Sequence, residues 1–260
     1  MRLDVYLTEQ GYAESRARAK RLIESGCVML NGVAVSKPAF EIQDEPTVSI
    51  KADRYVGRGG EKLEGALRAF SIDPTGLMAL DVGASTGGFT DCLLQSGAAH
   101  VVAVDAGFGQ LHPKLLKDER VTNIEKYNAR QLSCADTGKA DLIVMDVSFI
   151  SQTYILPRFP DILTEKGQVV SLIKPQFEAG RGALNKKGIV KDPRDKILAI
   201  RRVLDCATEC GLVCCGLMPS PILGGDGNEE YLAHFKHNAQ KQTPACISIE
   251  KTVLERTKQP

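Results

Sequence analysis

The 260-residue chain has no tryptophan, and aromatic residues make up only 5% of it. No apolar run reaches the roughly 18 residues that a membrane span needs. The start, Met1-Arg2-Leu3-Asp4, lacks the apolar centre of a secretory signal. There is also no long basic amphipathic helix with aromatic anchors, so a membrane-lysing protein is disfavoured and a cytoplasmic one expected. No Cys-x-x-Cys pair occurs among the eight cysteines, which argues against a zinc ribbon. Cys206, Cys210 and Cys214 recur every four residues, superficially like an iron–sulfur run. Gly211, however, is expected to end the helix between the second and third, leaving Cys206 and Cys210 as small apolar residues on one helix face. No metal is expected, and free thiols in a reducing compartment are. Charge of neither sign dominates: the net charge is +1.

Two nucleotide signatures are missing as well. No Gly-Lys-Ser/Thr loop is present, which excludes a P-loop. The dinucleotide fingerprint fails because Ser85 stands where its second glycine, the one that admits a pyrophosphate, should be. What is there instead is Leu80-Asp81-Val82-Gly83-Ala84-Ser85-Thr86-Gly87-Gly88-Phe89, an apolar run, a glycine-rich turn and the start of a helix. Gly83 and Gly87 allow a tight turn and close approach to a ligand. The free N–H groups of a helix start can face that ligand. A second apolar run ends in Asp105, placed to accept both hydroxyls of a ribose. An acid for an ammonium group (Asp81), glycines for close approach and an acid for ribose together describe S-adenosylmethionine. The pattern resembles the first two motifs of the Rossmann-like methyltransferases. Asp81, Gly83, Ser85, Gly87 and Asp105 are the expected cofactor residues, with Asn128 near the adenine.

The chain divides by composition. Residues 1–53 read as a small α+β module: a short helix from Arg2, a second helix capped by Ser15, a hairpin across Asn31-Gly32, and further strands at 40–42 and 48–50. Residues 54–62 carry three glycines and read as a linker. Residues 63–260 alternate strands and helices, with strands expected at 78–82, 101–105, 121–125, 141–147, 169–173, 213–217 and 245–250. That alternation implies an α/β fold, a twisted and mostly parallel Rossmann-like sheet with helices on both faces. Such sheets bind ligands at the carboxyl ends of their strands, where Asp81, Asp105 and Asp146 fall.

The N-terminal order, carried by Arg2-Leu3-Asp4, by Ser15-Arg16-Ala17-Arg18-Ala19 with Leu22-Ile23, and by Gly26 to Gly32, resembles the RNA-binding domain named for ribosomal protein S-four. Cys27 and Met29 stand where that family often carries basic side chains. Residues 1–62 hold ten Lys/Arg against nine Asp/Glu, so only the cluster Arg16, Arg18, Lys20 and Arg21 is basic. The blocks Gly57-Arg58-Gly59-Gly60-Glu61-Lys62-Leu63, Asp81 to Thr90, Asp146 to Ser151, Ile173 to Glu178 and Gly227 to Tyr231 are similar, in order, to those of the TlyA or haemolysin A family. That is a family of ribosomal RNA 2′-O-methyltransferases with an FtsJ-like catalytic domain. The resemblance implies a Lys-Asp-Lys-Glu tetrad of Lys62, Asp146, Lys174 and Glu230, with Glu229 the competitor for the last place. It also implies ribosomal RNA within ribosomal subunits as partner.

Independently, Arg181 to Arg202 holds eight basic residues against two acidic ones. This segment begins just after Lys174, which suggests phosphate contacts beside the site. Expected RNA-binding residues are therefore Arg2, Arg16, Arg18, Lys20, Arg21, Arg58, Arg181, Lys186 and Lys187. The competing reading is an RNA-binding or ribosome-assembly factor without turnover, against which both lysines of the tetrad speak.

Overall fold

A computed structural model of the chain describes residues 1–260 apart from 25, 43, 51–53, 225–226, 238–246 and 258–260, and the side chains of Arg21, 256 and 257. It separates into two units, Met1–Arg54 and Tyr55–Pro260.

The first unit contains α1 (Leu3–Glu9), α2 (Arg16–Glu24), β1 (Val28–Leu30), β2 (Val33–Ala34) and β3 (Val48–Ile50). The Ser15 hydroxyl accepts from the Arg18 amide at 3.2 Å and caps α2 as expected. Asn31 and Gly32 both have positive φ, 48° and 80°, the geometry of a tight hairpin turn. Leu3, Leu7, Ala19, Leu22, Ile23 and Val28 form its core. The strand expected at 40–42 reduces to a single bridge between Glu41 and Arg2.

The second unit opens with α3 (Gly59–Ala69), whose first turn occupies part of the span read as linker. The glycines there serve packing. A Cβ on Gly60 would lie 2.2 Å from the Tyr55 ring, and one on Gly59 3.1 Å from Phe89. Then come β4 (Met78–Val82), α4 (Gly88–Gln95), β5 (His100–Val104), α5 (Pro113–Leu116), β6 (Val121–Ile124), α6 (Cys134–Thr137) and β7 (Ala140–Met145). They are followed by α7 (Phe159–Ile162), β8 (Leu163–Ile173), α8 (Pro175–Glu178), α9 (Pro193–Glu209), β9 (Leu212–Pro219), β10 (Tyr231–His237) and α10 (Ile249–Thr257).

The sheet order is β6-β5-β4-β7-β8-β10-β9. The pairings β6 to β5, β5 to β4, β4 to β7 and β7 to β8 are parallel, and β10 runs antiparallel between β8 and β9. The described part of the strand expected at 245–250, residues 247–250, is not a strand. Residues 245–246 lie outside the described ones, and Ile249 already starts α10. The last strand among the described residues is Tyr-Leu-Ala-His-Phe-Lys-His at 231–237, buried on both faces over its first five residues. A strand covered on both sides has no polar–apolar alternation to betray it.

Alternate residues of the central strands feed two cores. Ile143 and Met145 pack with Phe159, Ile200, Val203 and Val253 on one face. Leu142 and Val144 pack with Leu63, Leu67, Phe89 and Leu93 on the other. Each such side chain, fully buried, is worth about 1.5–3 kcal/mol. Helices α3 and α9 therefore sit on opposite faces. Asp192 caps α9 by accepting from the Arg194 amide at 2.8 Å, and Gly211, at φ 76°, follows its end. The cysteines among the described residues are free, Cys206 packs against the core, and no His/Cys/Asp/Glu cluster there could hold a metal.

Candidate active site

The carboxyl ends of β4, β5, β7 and β8 converge on two adjoining cavities. One, of about 510 Å³, is lined by Gly83, Ser85, Asp105, Asn128, Asp146 and Ile155 among others. The other, of about 220 Å³, is lined by Arg58, Lys62, Ser85, Asp146, Ser148 and Lys174 among others. Gly83, Ser85, Asp146 and Ser148 border both. A more open groove of about 900 Å³ runs along the hairpin of the N-terminal unit, past Val33 and Phe40, with Lys37, Glu41 and Asp44 in its lining.

The larger cavity is built from the glycine-rich turn. Gly83 has φ 88°, and a Cβ there would lie 2.5 Å from the Asp146 carbonyl oxygen. Its backbone is thus an open wall that only glycine supplies. Asp105 is fixed by two amides: Ser85 N donates to Oδ2 at 2.8 Å and Gly107 N to Oδ1 at 2.6 Å. The Ser85 hydroxyl donates to Gln110 Oε1 at 3.3 Å, so a glutamine not anticipated from sequence closes the same edge. Asn128 lines the cavity, but its Oδ1 accepts from Arg130 N at 3.1 Å.

Two expected cofactor residues sit elsewhere. Gly87 borders neither cavity; at φ 93° it turns the chain into α4, and a Cβ would lie 2.2 Å from Leu115. Asp81 is fully buried beneath the turn, where its Oδ2 accepts from Thr90 Oγ1 at 2.7 Å and its Oδ1 has no partner.

Burial pushes the Asp81 carboxyl up to about 7; the Thr90 hydrogen bond opposes the shift, and the charges of Asp146 and Asp105 add to it. The folded value lies above the unfolded one of about 3.9, so stability is fully present below that pH and is lost as pH rises through about 7. Asp81→Asn, which cannot ionise, should therefore raise the melting temperature of cofactor-free protein at pH 8 and leave it unchanged at pH 4. Equal shifts at both pH values in thermal melts would contradict this assignment.

Two lysines line the smaller cavity, each paired with a carboxylate. Lys174 Nζ, at the end of β8, lies 2.5 Å from Asp146 Oδ1, at the end of β7. The contact is ionic, without an aligned hydrogen bond, and the lysine donates instead to Ser148 Oγ at 2.9 Å. Lys62 Nζ, from α3, donates to Glu230 Oε2 at 2.6 Å, with both side chains under a tenth exposed. Gly224 makes room for that carboxylate, since a Cβ there would lie 2.2 Å from Oε1. Glu229 turns away and pairs with Lys196 at 2.8 Å, so of the two adjacent glutamates it is Glu230 that meets Lys62.

The structure also sorts the expected RNA-binding residues. Arg58, Arg181, Lys186, Lys187 and Lys191 are exposed. Arg2 and Arg16 share Asp4, whose carboxyl the Arg2 guanidinium, helped by Arg16, holds down at about 2. Lys20 lies 3.7 Å from Glu24, Arg18 is half-buried, and the Arg21 side chain lies outside the described ones. Within 181–202, Arg194 pairs with Asp192, Arg201 with Glu250, and Arg202 donates to the Glu178 carbonyl. Lys196 is only 4% exposed, so the surface surplus of charge is smaller than the composition suggests.

Residues 55–237 match the family described as FtsJ-like methyltransferase, more than half of the chain. The chain belongs to the FtsJ-like methyltransferase family. Residues 1–46 match the S4 domain. Hemolysin A of Brachyspira hyodysenteriae is 46% identical over 242 residues, covering 90% of this chain and 99% of the relative. The 16S/23S rRNA (cytidine-2′-O)-methyltransferase TlyA of Mycobacterium tuberculosis is 43% identical, covering 94% of this chain and 92% of the relative. A solved structure from Streptococcus thermophilus, described as a candidate hemolysin, superposes with a TM-score of 0.77 at 42% identity, covering 99% of this chain and 96% of that one. The FtsJ-like methyltransferase assignment and these relatives bear out the TlyA/haemolysin A resemblance and the Rossmann-like α/β fold read from the sequence. No helix among the described residues is long and apolar enough to cross a membrane.

The cofactor of this family, S-adenosylmethionine, suits the larger cavity. Its volume falls within the usual range of about 300–1,000 Å³ for small-ligand sites. Among its lining residues are Asp105 and Asp146 but no lysine or arginine, which suits a cationic nucleoside without phosphates.

Proposed function

We propose that this protein methylates the 2′-hydroxyl of a cytidine ribose in ribosomal RNA, acting on ribosomal subunits in the cytoplasm. The observation that carries the reading is the adjacency of the two cavities. An acidic, phosphate-free nucleoside pocket opens at Gly83, Ser85 and Asp146 onto a pocket lined by two lysines, each paired with a carboxylate. Asp105 would hold the cofactor ribose, and the Gly83 and Ser85 backbone its adjacent portion. When bound, S-adenosylmethionine supplies an electrophilic methyl group on a sulfonium.

The chain's part is to orient the hydroxyl and take its proton. Lys174 Nζ is the proton acceptor: the ammonium paired with Asp146 first gives up a proton to solvent, and the ammonium re-formed with the hydroxyl's proton is held by Asp146 and Ser148. Lys62 donates to the developing alkoxide, its position set by Glu230. Much of the acceleration comes from alignment for in-line attack. Phe149, 92% exposed at the cavity rim with φ 63°, packs on Phe177 at a centroid distance of 5.1 Å and offers a face on which an unstacked base can rest.

Two expected outcomes belong to binding. Asp105→Ala should weaken S-adenosylmethionine about 10- to 100-fold, the value of hydrogen bonds to a charged group, as read by calorimetry. Unchanged affinity would place the ribose elsewhere. Replacing Lys186, Lys187 and Lys191 with alanine should lower the slope of log affinity for RNA against log salt by about 2, through lost counterion release. An unchanged slope would make that turn a solvated surface. We propose a supporting RNA grip by residues 1–53 through Arg16, Arg18, Lys20 and Arg21, weaker because Arg16 is already committed to Asp4.

The reading is tested with purified protein, ribosomal subunits and methyl-labelled cofactor. Label should enter RNA. Label confined to ribosomal protein would overturn it.

A further inference from the structure

Glu229 and Glu230 are consecutive carboxylates just ahead of β10, preceded by Gly224 and by Gly227 at φ 82°. Nothing in such a pair distinguishes the two chemically. A slip of one residue in an extended segment exchanges the faces to which its side chains point. If that happened here, Glu229 would be offered to Lys62 in place of Glu230.

The structure holds a device against the exchange. Lys196 projects from α9, on the face of the sheet opposite α3, and its Nζ lies 2.8 Å from Glu229 Oε2. Its side chain is 6% exposed, against 60% for the surface lysine Lys20. Burying an ammonium costs several kcal/mol unless it is well paired, so this is no casual surface contact. The Tyr231 hydroxyl donates to the same Glu229 oxygen at 3.1 Å, and the Ser220 amide donates to the Glu230 carbonyl at 2.8 Å. One lysine from each face thus takes one glutamate each. The same helix also holds the short helix that follows Lys174: Arg202 donates to the Glu178 carbonyl at 2.6 Å, at the end of α8.

We infer that Lys196 is a positioning residue, fixing the register of the Glu229–Glu230 pair so that Glu230 alone engages Lys62. The inference rests on the reading of Lys62 and Glu230 as parts of the methyl-transfer site.

The test compares K196M, E229Q and the double variant K196M/E229Q for kcat on ribosomal RNA and, separately, for S-adenosylmethionine affinity by calorimetry. In K196M the freed Glu229 competes for Lys62, and kcat should fall about 10- to 100-fold, the scale of a misplaced catalytic group. Cofactor affinity should not change. The double variant leaves one carboxylate for Lys62, and kcat should recover to within about threefold of wild type on that argument. E229Q leaves the buried Lys196 ammonium facing an amide and should lower the melting temperature. At a temperature where melts show it folded, its kcat should stay near wild type, which keeps the proposal open to refutation should K196M fail to fold. Wild-type kcat in K196M, a double variant as slow as K196M despite normal cofactor binding, or an inactive E229Q would each overturn it. Absence of transfer by the wild type would instead overturn the methyltransferase reading, and this inference with it.

Discussion

Lys174→Ala should lower the single-turnover rate of methyl transfer about 10³-fold, within the range that a positioned general base supplies. Lys174→Arg should be nearly as slow. A guanidinium stays protonated and cannot take a proton from a ribose hydroxyl near neutral pH. Neither change should disturb the fold, because the Asp146 side chain left behind is 19% exposed and can be solvated. Neither should alter cofactor affinity, since Lys174 does not line the larger cavity. Rates from pre-formed complexes, with S-adenosylmethionine affinity measured separately, make the comparison. An arginine variant within about tenfold of wild type would remove Lys174 as proton acceptor, given what a general base contributes.

The Lys62–Glu230 pair should behave differently, because both partners are almost fully enclosed. Glu230→Ala leaves an ammonium without a counter-charge, and loss of one partner of a buried pair costs about 3–5 kcal/mol. A double replacement, Lys62→Met with Glu230→Leu, removes both charges and should return most of that stability, since apolar replacements of buried pairs are commonly neutral or better. Transfer should nonetheless stay at least about 100-fold below wild type in both, the scale of losing one donor to a developing oxyanion. Urea unfolding and single-turnover rates together decide the matter. A double variant that regains activity along with stability would reduce the pair to a structural contact.

Much of the candidate site's placement was legible because apolar runs that end in a charged residue mark the ends of strands. Asp105 and Asp146 follow apolar runs that could only be strands, and Gly83 occupies a turn that a side chain would block. Lys174 stands at the end of β8 for the same reason. What could not be read was pairing. Lys196 counted as one more surface cation in a basic segment, yet it is buried, since nothing local in a helix reveals which face the sheet will cover. Asp81 was expected at the ligand, and Thr90, nine residues on, takes one of its oxygens beneath the turn. The glycines at 57, 59 and 60 read as a flexible or sharply turned linker, whereas Thr86, Phe89 and Tyr55 pack against them. Strand β10 escaped because burial on both faces erased the period-two pattern, and its place between β8 and β9 is set by long-range pairing alone.

The central claim, transfer to a ribose oxygen, has a direct chemical signature. A 2′-O-methyl group removes the nucleophile that cleaves the neighbouring phosphodiester in alkali. Ribosomal RNA labelled by the wild-type protein and methyl-labelled S-adenosylmethionine should, after complete alkaline hydrolysis, carry its label in a resistant dinucleotide with cytidine at the 5′ position. RNA treated with the Lys174→Ala variant should carry none. Label released in mononucleotides would show that a base is the acceptor and would contradict the account.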